Sequence, residues 1–468
     1  MNKMSFTRTV LILLVASVAI TACRKRKISE MADNLVNFEY TTQGLEEASH
    51  SLVIKVKLVR PTSTDIPLVI NLTESGLAYG VKYTTTPAAV SGRLTVTIPS
   101  GNNEASFTVS KVAGALFDGD EKLVLDLYSS GAPIFIGVTK QLALTFKELV
   151  ATSANLVVNG GGPTYGNKVF IDLSANRQTP VLRTNWDLGF YTGADDYRVI
   201  LNSSSAMMAK QIAKNDLATV TAADTLGFSG DVYFNGTAPT VSSLAYIDYP
   251  SGDLTKTAIT SISATASDNK VYIVNRGTGV GAPAPERGWK KIRIIRNATG
   301  GYTLQHADIA ATTFSSIDIA KDDAYFFKYV SFTTGAVAVE PQKKKWDLAW
   351  TYFSSVTNFG TGEVPYLFQD VVVINRNVQI AKVMNTAKAF ADFGAADITT
   401  QTFLTTQNAF ASDWRSGGGP GVSPAVRTDR YYIVKDGDNN YYKVRFTALT
   451  QNGDRGYPAY ESVLIKRG

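Results

Sequence analysis

The sequence predicts an all-β protein in which an N-terminal immunoglobulin-like β-sandwich precedes a β-rich region with an internal repeat. Two observations predict this fold class. Before residue 150, alternating apolar and polar runs such as 52–58 and 94–98 are separated by turns of Gly, Pro, Asn and Asp, which is typical of an antiparallel sandwich. Beyond residue 150, the stretch 345–350 (Lys-Trp-Asp-Leu-Ala-Trp) occurs almost intact at 185–190 (Asn-Trp-Asp-Leu-Gly-Phe).

The repeated Trp-Asp-Leu stretch is part of a longer duplication. A second shared strand begins 86 positions after each tryptophan, so Tyr272 follows Trp186 as Tyr432 follows Trp346. A third shared strand comes next, at 289–294 in the first copy and at 441–446 in the second copy. Three elements in the same order indicate a duplication. We therefore expect two similar β-rich repeats, over 149–324 and 325–468.

The N-terminus indicates secretion and lipid attachment. A basic start leads into the apolar run 10–20, whose eleven residues are too few to span a bilayer, so residues 1–22 are read as a signal peptide. The small residues that end in Cys23 resemble a bacterial lipobox, which implies that Cys23 is lipidated. It is the only cysteine in the chain, so no disulfide framework is expected. Residues 23–34 are then a lipidated tether.

The positive net charge of +6 is concentrated at the N-terminus. Two of these charges belong to the signal peptide and four lie at 24–27, which leaves a neutral body over 28–468. A nucleic-acid-binding protein would carry a basic stripe on its fold, so this function is not expected. The basic cluster is instead suited to anionic lipid headgroups beside the anchor.

The N-terminal module, over 35–148, resembles a Calx-β domain of immunoglobulin type. The resemblance rests on residues 76–83, on the strand at 96–101 and on the acidic turn 118–121 that leads into an apolar strand. Some such modules bind calcium through carboxylates at one end. This acidic turn offers too few oxygens for the roughly six to eight that calcium prefers, so a solvated turn is the favoured interpretation.

The region after residue 150 resembles the HmuY family, in residues 332–335, 346–350, 356–358, 432–437 and 442–446. The match is best over 325–468 and weaker over the first copy. Members of this family are all-β, lipid-anchored haem-binding proteins of Bacteroidetes outer membranes. The resemblance implies haem acquisition at the outer membrane, on its periplasmic or cell-surface face. It also implies delivery of haem to an outer-membrane transporter and an iron held by paired His or paired Met side chains.

The candidate haem ligands in this sequence are methionines. The two histidines, His50 and His306, match no ligand position of the family. Met384, Met207 and Met208 follow the asparagine that closes a hydrophobic strand in each copy, in stretches that we expect to be more helical. Methionine can ligate haem iron, although it is more often an adaptable core filler.

No metal-ligand or catalytic pattern stands out. Residues 436–440 could form a cation loop, but their position between two aromatic strands favours a hairpin turn. Two distant histidines offer no pair of nucleophile and base, and the glycine-rich stretches lack the Lys of a phosphate loop. The chain is therefore not expected to be an enzyme. The alternatives to haem binding are a surface protein that binds glycan or protein, and a polysaccharide hydrolase with paired carboxylates.

Overall fold

The computed structural model describes residues 33–45, 49–113, 115, 121–146, 151–234, 240–360, 362–418 and 421–468. The predicted signal peptide, Cys23 and most of the tether 23–34 lie outside the described residues. Strands account for 46% of the structure and helices for 8%, which confirms the all-β prediction. Contacts divide the chain into two compact units, Met1–Glu148 and Leu149–Gly468.

The N-terminal unit consists of two five-stranded sheets. One sheet has the order β5-β7-β3-β1-β9 and the other β2-β10-β8-β4-β6. The strands are β1 (Leu35–Phe38), β2 (Thr42–Gly44), β3 (Ser51–Leu58), β4 (Ile66–Ser75), β5 (Tyr83–Thr86), β6 (Arg93–Ile98), β7 (Glu104–Lys111), β8 (Lys122–Ser130), β9 (Phe135–Ile136) and β10 (Gln141–Thr145).

The N-terminal sheets share one apolar core, to which inward-facing residues of both sheets contribute. In β6, for example, Leu94, Val96 and Ile98 are buried while the residues between them are exposed. This alternation is the period-two pattern that predicted the sandwich.

Of the acidic turn 118–121, only Glu121 lies within the described residues. Its buried carboxylate is 2.6 Å from the Lys82 ammonium.

The C-terminal unit contains four larger sheets, with the orders β11-β30-β29-β28-β25, β13-β12-β23-β24, β15-β14-β21-β22 and β16-β17-β18-β19-β20, and a small pair β26-β27. The strands up to β20 are β11 (Ser153–Val157), β12 (Asn167–Asp172), β13 (Arg177–Leu182), β14 (Leu188–Tyr191), β15 (Val199–Leu201), β16 (Met208–Gln211), β17 (Val271–Asn275), β18 (Trp289–Arg296), β19 (Tyr302–Ala307) and β20 (Ser315–Ile319).

The remaining strands belong to the second repeat. They are β21 (Phe327–Ser331), β22 (Gly335–Val337), β23 (Leu348–Asn358), β24 (Glu363–Ile374), β25 (Gln379–Met384), β26 (Arg415–Ser416), β27 (Ala425–Val426), β28 (Arg430–Lys435), β29 (Tyr441–Gln451) and β30 (Asp454–Lys466). One short α-helix, α1 (Phe228–Asp231), is described. The 3-10 helices span Gly162–Thr164, Ser203–Ser205, Leu217–Thr219, Ala222–Thr225, Val241–Tyr246, Leu254–Lys256, Ala266–Asp268 and Ala395–Thr400.

The two repeats exchange their opening strands. The hairpin β12-β13 of the first repeat pairs with β23, the Trp-Asp-Leu strand of the second repeat. Reciprocally, β21 of the second repeat pairs with β14, the Trp-Asp-Leu strand of the first repeat. The strand β11, which precedes the first hairpin, follows the same rule because it pairs with β30 of the second repeat, whereas β20 pairs with β19 within the first repeat. The repeats are therefore interlocked through these strand pairings.

The interlocking produces three main cores in this unit. One core is built from strands β14 to β21 and another from β12, β23 and the strands that follow β23. The third core joins the two repeats and contains both Trp186 and Trp346. The buried positions predicted for the two tryptophans are confirmed, because Trp186 is 1% exposed and Trp346 is 5% exposed.

Candidate functional site

A matched hydrogen-bond frame surrounds each Trp-Asp pair. The Asp187 carboxylate accepts from the Phe332 amide at 2.8 Å, and the Asp347 carboxylate accepts from the Leu173 amide at 2.8 Å. Asn202 and Asn375, which follow β15 and β24, donate a side-chain N–H to the carbonyls of Trp186 and Trp346, respectively. Each aspartate thus binds an amide of the other repeat, and the frame fixes where the exchanged strands dock.

The tryptophans of the frame also have equivalent aromatic partners. Trp186 makes an edge contact with Tyr329 of the second repeat, with ring centroids 4.8 Å apart. Trp346 makes the same kind of contact with Phe170 of the first repeat at 5.0 Å. These shared surroundings agree with the duplication that the sequence predicted.

The second repeat carries a groove of about 700 Å³, which we call the repeat-two groove. It lies beside β24, β25 and β28 and is closed by the segment 404–417. Its apolar lining comes from Phe368, Ile380, Leu404, Phe410 and Tyr432, and its polar lining from Asn408, Ser412, Asp413, Lys382, Arg415 and Arg427. Ligand pockets typically measure about 300–1,000 Å³, so this groove is large enough for a sizeable organic molecule.

A cluster of aromatic rings forms the floor of the repeat-two groove. The rings of Phe410 and Tyr432 have centroids 4.0 Å apart. Behind Phe410, Phe446 lies 5.6 Å away and stacks on Trp414 at 4.1 Å. Because these rings also belong to the core of the second repeat, the floor is held by the packing of the fold.

Asp413 organises the charged side of the groove. Its carboxylate accepts from Arg430 at 2.6 Å and from the Tyr432 hydroxyl at 3.0 Å, and the Lys382 ammonium is 3.3 Å away. Burial alone raises the pKa of Asp413, but these hydrogen bonds outweigh burial and hold the pKa below its usual value. Lys382 and Arg427 are exposed at the rim, so two cations remain accessible to an anionic ligand.

The first repeat has a smaller equivalent of this groove, of about 190 Å³. Tyr272, the counterpart of Tyr432, lines it together with Gln211, whose side-chain oxygen accepts from the Tyr272 hydroxyl at 2.8 Å. Tyr272 is the only aromatic residue among those lining this groove. The second repeat is therefore the better candidate for ligand binding.

A separate small cavity of about 60 Å³ lies where the two repeats meet, and we call it the junction cavity. Lys168, Glu340, Asp248 and Arg376 line it together with both frame tryptophans. Glu340 accepts from the Phe327 amide at 2.7 Å and from the Tyr329 hydroxyl at 3.0 Å. These acidic and basic side chains are spread over both repeats, so sequence periodicity could not group them.

The family model of the HmuY protein matches residues 164–303 and 325–461. The chain belongs to the HmuY family. The match covers both repeats, which confirms the predicted resemblance and the duplication. No curated protein matches the chain.

Several solved structures are similar to this HmuY-family chain. A putative HmuY-like heme binding protein from Bacteroides vulgatus is 14% identical, over 37% of this chain and 91% of that chain, with a TM-score of 0.16. Apo PinO from Porphyromonas gingivitis is 18% identical, over 36% of this chain and 92% of that chain, with a TM-score of 0.15. The apo-form Calx CBD1 domain is 14% identical, over 25% of this chain and 96% of that chain, with a TM-score of 0.22.

The structure does not bring the three candidate methionines together. Met207 is 1% exposed in the core of the first repeat, whereas Met208 is fully buried in a neighbouring cluster. Met384 is half-buried at the end of β25, on the strand face shared with Ile380 and Lys382. None of the three lines the repeat-two groove or the junction cavity. Haem ligation by Met384, Met207 or Met208 stays a prediction, and a pair of them across one groove does not fit this arrangement.

The stretches that contain these methionines are strands, which corrects the helical expectation. Residues 208–211 form β16 and pair with β17, and residues 379–384 form β25 and pair with β28. Ala, Met, Lys and Gln favour a helix when isolated, but pairing with a buried neighbouring strand overrides that preference.

The hairpin predicted at 436–440 is confirmed, because Asp436 accepts from the Asp438 and Asn440 amides between β28 and β29.

His306 lies on β19 and is 9% exposed, with its ring 5.4 Å from that of Phe332. Burial lowers its pKa. It does not line the repeat-two groove.

Within the described residues, no group of three or more His, Cys, Asp or Glu could hold a metal ion. No helix of that part of the chain is long and apolar enough to cross a membrane.

The junction cavity makes the stability of the protein depend on pH. Burial raises the pKa of Glu340 to about 7, although its hydrogen bonds from Phe327 and Tyr329 and the nearby Lys168 and Arg376 oppose this rise. Burial likewise raises the pKa of Asp248 to about 7. Both carboxyls lose their protons more readily in the unfolded chain, so stability falls as pH rises from about 4.5 through 7.

We expect Glu340→Gln to flatten this pH dependence. The amide cannot ionise, so the fall in the free energy of unfolding between pH 5 and 7 should weaken by up to about 1.4 kcal/mol per pH unit. Chemical denaturation across this pH range measures the slope. The exposed Asp195→Asn serves as the control and should leave the slope unchanged. A slope that is the same in Glu340→Gln and wild type would contradict the prediction.

Proposed function

We propose that this HmuY-family chain is a non-catalytic, lipid-anchored outer-membrane protein that binds a flat anionic ligand in the repeat-two groove. Haem is the ligand that family membership favours. The observation that carries the proposal is the combination of an aromatic floor with two accessible cations in a groove of about 700 Å³. Flat apolar ligands bind in concave sites that have a small number of well-placed polar groups.

The groove suits the ring and the carboxylates of a haem. The exposed Leu404 and the half-buried Phe368 offer apolar area to a macrocycle, while Lys382 and Arg427 can pair with its two propionate groups. Neither His nor Met is among the residues that line the groove. The Tyr432 hydroxyl donates to Asp413, and burial together with that negative charge raises the Tyr432 pKa, which disfavours a phenolate ligand for iron.

Recognition in this groove therefore depends on the ring face and the carboxylates, with no iron ligand supplied by its lining. The proposal also includes the location of the chain and the partner that receives its ligand. A lipid on Cys23 would hold the protein at the outer membrane, and an outer-membrane transporter would receive the ligand. The neutral body over 28–468 makes nucleic acid an unsuitable partner.

The decisive experiment compares haemin with metal-free protoporphyrin. Both should quench the tryptophan fluorescence of the protein with similar midpoints, because Trp414 lies directly behind the aromatic floor. Haemin should also shift its Soret band on binding. We expect the double variant Lys382→Met/Arg427→Met to weaken both ligands about tenfold, since each exposed ion pair contributes up to about 1 kcal/mol.

Two control variants locate the site. Lys270→Met removes a lysine from the smaller groove of the first repeat and should leave both midpoints unchanged. Met384→Ala should leave the Soret spectrum of bound haemin unchanged. Loss of that spectrum in Met384→Ala alone would assign iron ligation to Met384 instead of the groove. If neither porphyrin binds at micromolar protein, the proposal is overturned in favour of a surface protein that binds glycan or another protein.

A further inference from the structure

Three side-chain donors that line the junction cavity have no hydrogen-bond partner among the described residues. The indole nitrogens of Trp186 and Trp346 are buried and have no hydrogen-bond partner. The Lys168 ammonium makes no hydrogen bond with the described residues. It lies over the faces of Phe170, at 5.0 Å from the ring centroid, and of Trp186, at 5.9 Å. All three donors belong to side chains that are at least nine-tenths buried and that line the cavity.

The carboxylates of Glu340 and Asp248, which line the cavity, are already engaged by the fold. Glu340 uses one oxygen for the Phe327 amide and the other for the Tyr329 hydroxyl. Asp248 accepts from the Leu201 amide at 2.6 Å and from the Ala258 amide at 3.0 Å. Buried polar groups almost always have a partner, so three donors without one indicate an occupant that supplies acceptor atoms.

The positive side chains that line the cavity indicate that this occupant is negatively charged. Besides Lys168, the cavity is lined by Arg376, whose guanidinium donates to the Gly252 carbonyl at 2.7 Å and lies over the Phe327 ring. A buried ammonium without a hydrogen bond is best stabilised by a negatively charged acceptor. Glu340 compensates part of this positive charge, but its oxygens are committed to the backbone and to Tyr329.

Size excludes large ligands. A volume of about 60 Å³ holds about four water-sized groups, which is enough for a formate or an acetate ion and too small for a porphyrin or a sugar ring. The two indole donors come from equivalent positions of the two repeats. A carboxylate suits them because it also presents two equivalent oxygen atoms.

We propose that the junction cavity binds a small carboxylate, which accepts hydrogen bonds from Trp186 and Trp346 and pairs with the Lys168 ammonium. The site is separate from the repeat-two groove, so it does not depend on the function proposed for that groove. Its residues come from both repeats, and a bound carboxylate would therefore stabilise the interlocked arrangement.

Fluorine NMR of the full chain labelled with 5-fluorotryptophan tests the proposal. The protein has five tryptophans, and Trp289, Trp350 and Trp414 do not line the cavity. We expect acetate, titrated at constant ionic strength against chloride, to shift two signals along a common saturation curve. Trp186→Phe and Trp346→Phe assign these two signals, while the other three remain in place.

Two variants with opposite expected effects on acetate binding distinguish a change in binding from a general loss of folding. Lys168→Met should weaken acetate binding at least tenfold, whereas Glu340→Gln should strengthen it several-fold because a competing negative charge is lost. Lys328→Met removes an exposed lysine that pairs with Asp322 and should leave binding unchanged. The proposal is overturned if no signal approaches saturation up to about 100 mM acetate, since a dissociation constant above that value is weaker than millimolar binding by more than a hundredfold. Equal shifts with chloride, or equal shifts of all five signals, would also overturn it.

Discussion

Asp187→Asn is expected to lower the free energy of unfolding by about 3–5 kcal/mol, because it leaves two largely buried guanidinium groups without a counter-charge. Asp187 is fully buried, and both of its oxygens bind Arg276 at 3.0 Å. The Arg287 guanidinium is 2.8 Å away. An asparagine can still accept from the Phe332 amide, but it carries no charge to balance the two arginines.

The second repeat supplies a matched control for this substitution. Asp347 occupies the equivalent position and accepts from an equivalent amide, yet none of the ion pairs among the described residues includes it. Burial and the neighbouring Asp172 and Asp436 raise the pKa of Asp347 well above its usual value. Asp347→Asn should therefore change stability by less than about 1 kcal/mol near neutral pH. Urea unfolding of both variants measures the difference, and equal losses would show that the arginine pairs are not its source.

Gly277→Ala is the second substitution with a large expected effect. Gly277 has a φ of +69°, and a Cβ atom there would lie 1.8 Å from the Ser205 carbonyl oxygen. That oxygen also accepts from the Thr278 amide, so the backbone on both sides is fixed. We expect a loss of at least about 3 kcal/mol, which combines the left-handed conformation with a clash against backbone atoms.

Gly288→Ala is the control for the backbone conformation alone. Gly288 also has a positive φ, of +81°, but nothing lies within 4 Å of its added Cβ atom. Its substitution should cost about 1–2 kcal/mol. Thermal unfolding compares the two variants. Similar losses for both would mean that crowding against Ser205 contributes little, and that Gly277 is required only for its left-handed conformation.

Several features of the fold could be predicted from local sequence. Alternation of apolar and polar residues identified the strands of the N-terminal sandwich, for example β6, in which every second residue is buried. The Trp-Asp-Leu stretches and the asparagines that follow them identified the repeat, because the same residues make the same hydrogen bonds in both copies. Such signals are readable because each depends on neighbours only a few positions away.

The residues of the two candidate sites were harder to group from the sequence. Lys382, Asp413 and Tyr432 meet in the repeat-two groove from segments that no periodic pattern connects. Lys168, Trp186 and Glu340 reach the junction cavity only because the repeats exchange strands. Lys168, which directly precedes the apolar run 169–171, was a local signal that could have pointed to this cavity.

The sequence by itself determined the all-β class, the duplication and the burial of the two frame tryptophans, because all three follow from residue type and spacing. Only the tertiary structure decided that β12 pairs with β23 and that β14 pairs with β21. Each of these pairings joins strands more than 130 positions apart, and either repeat offers strands with the same alternating pattern. The choice between self-contained and exchanged repeats is therefore made by long-range packing around Trp186 and Trp346, which no local pattern encodes.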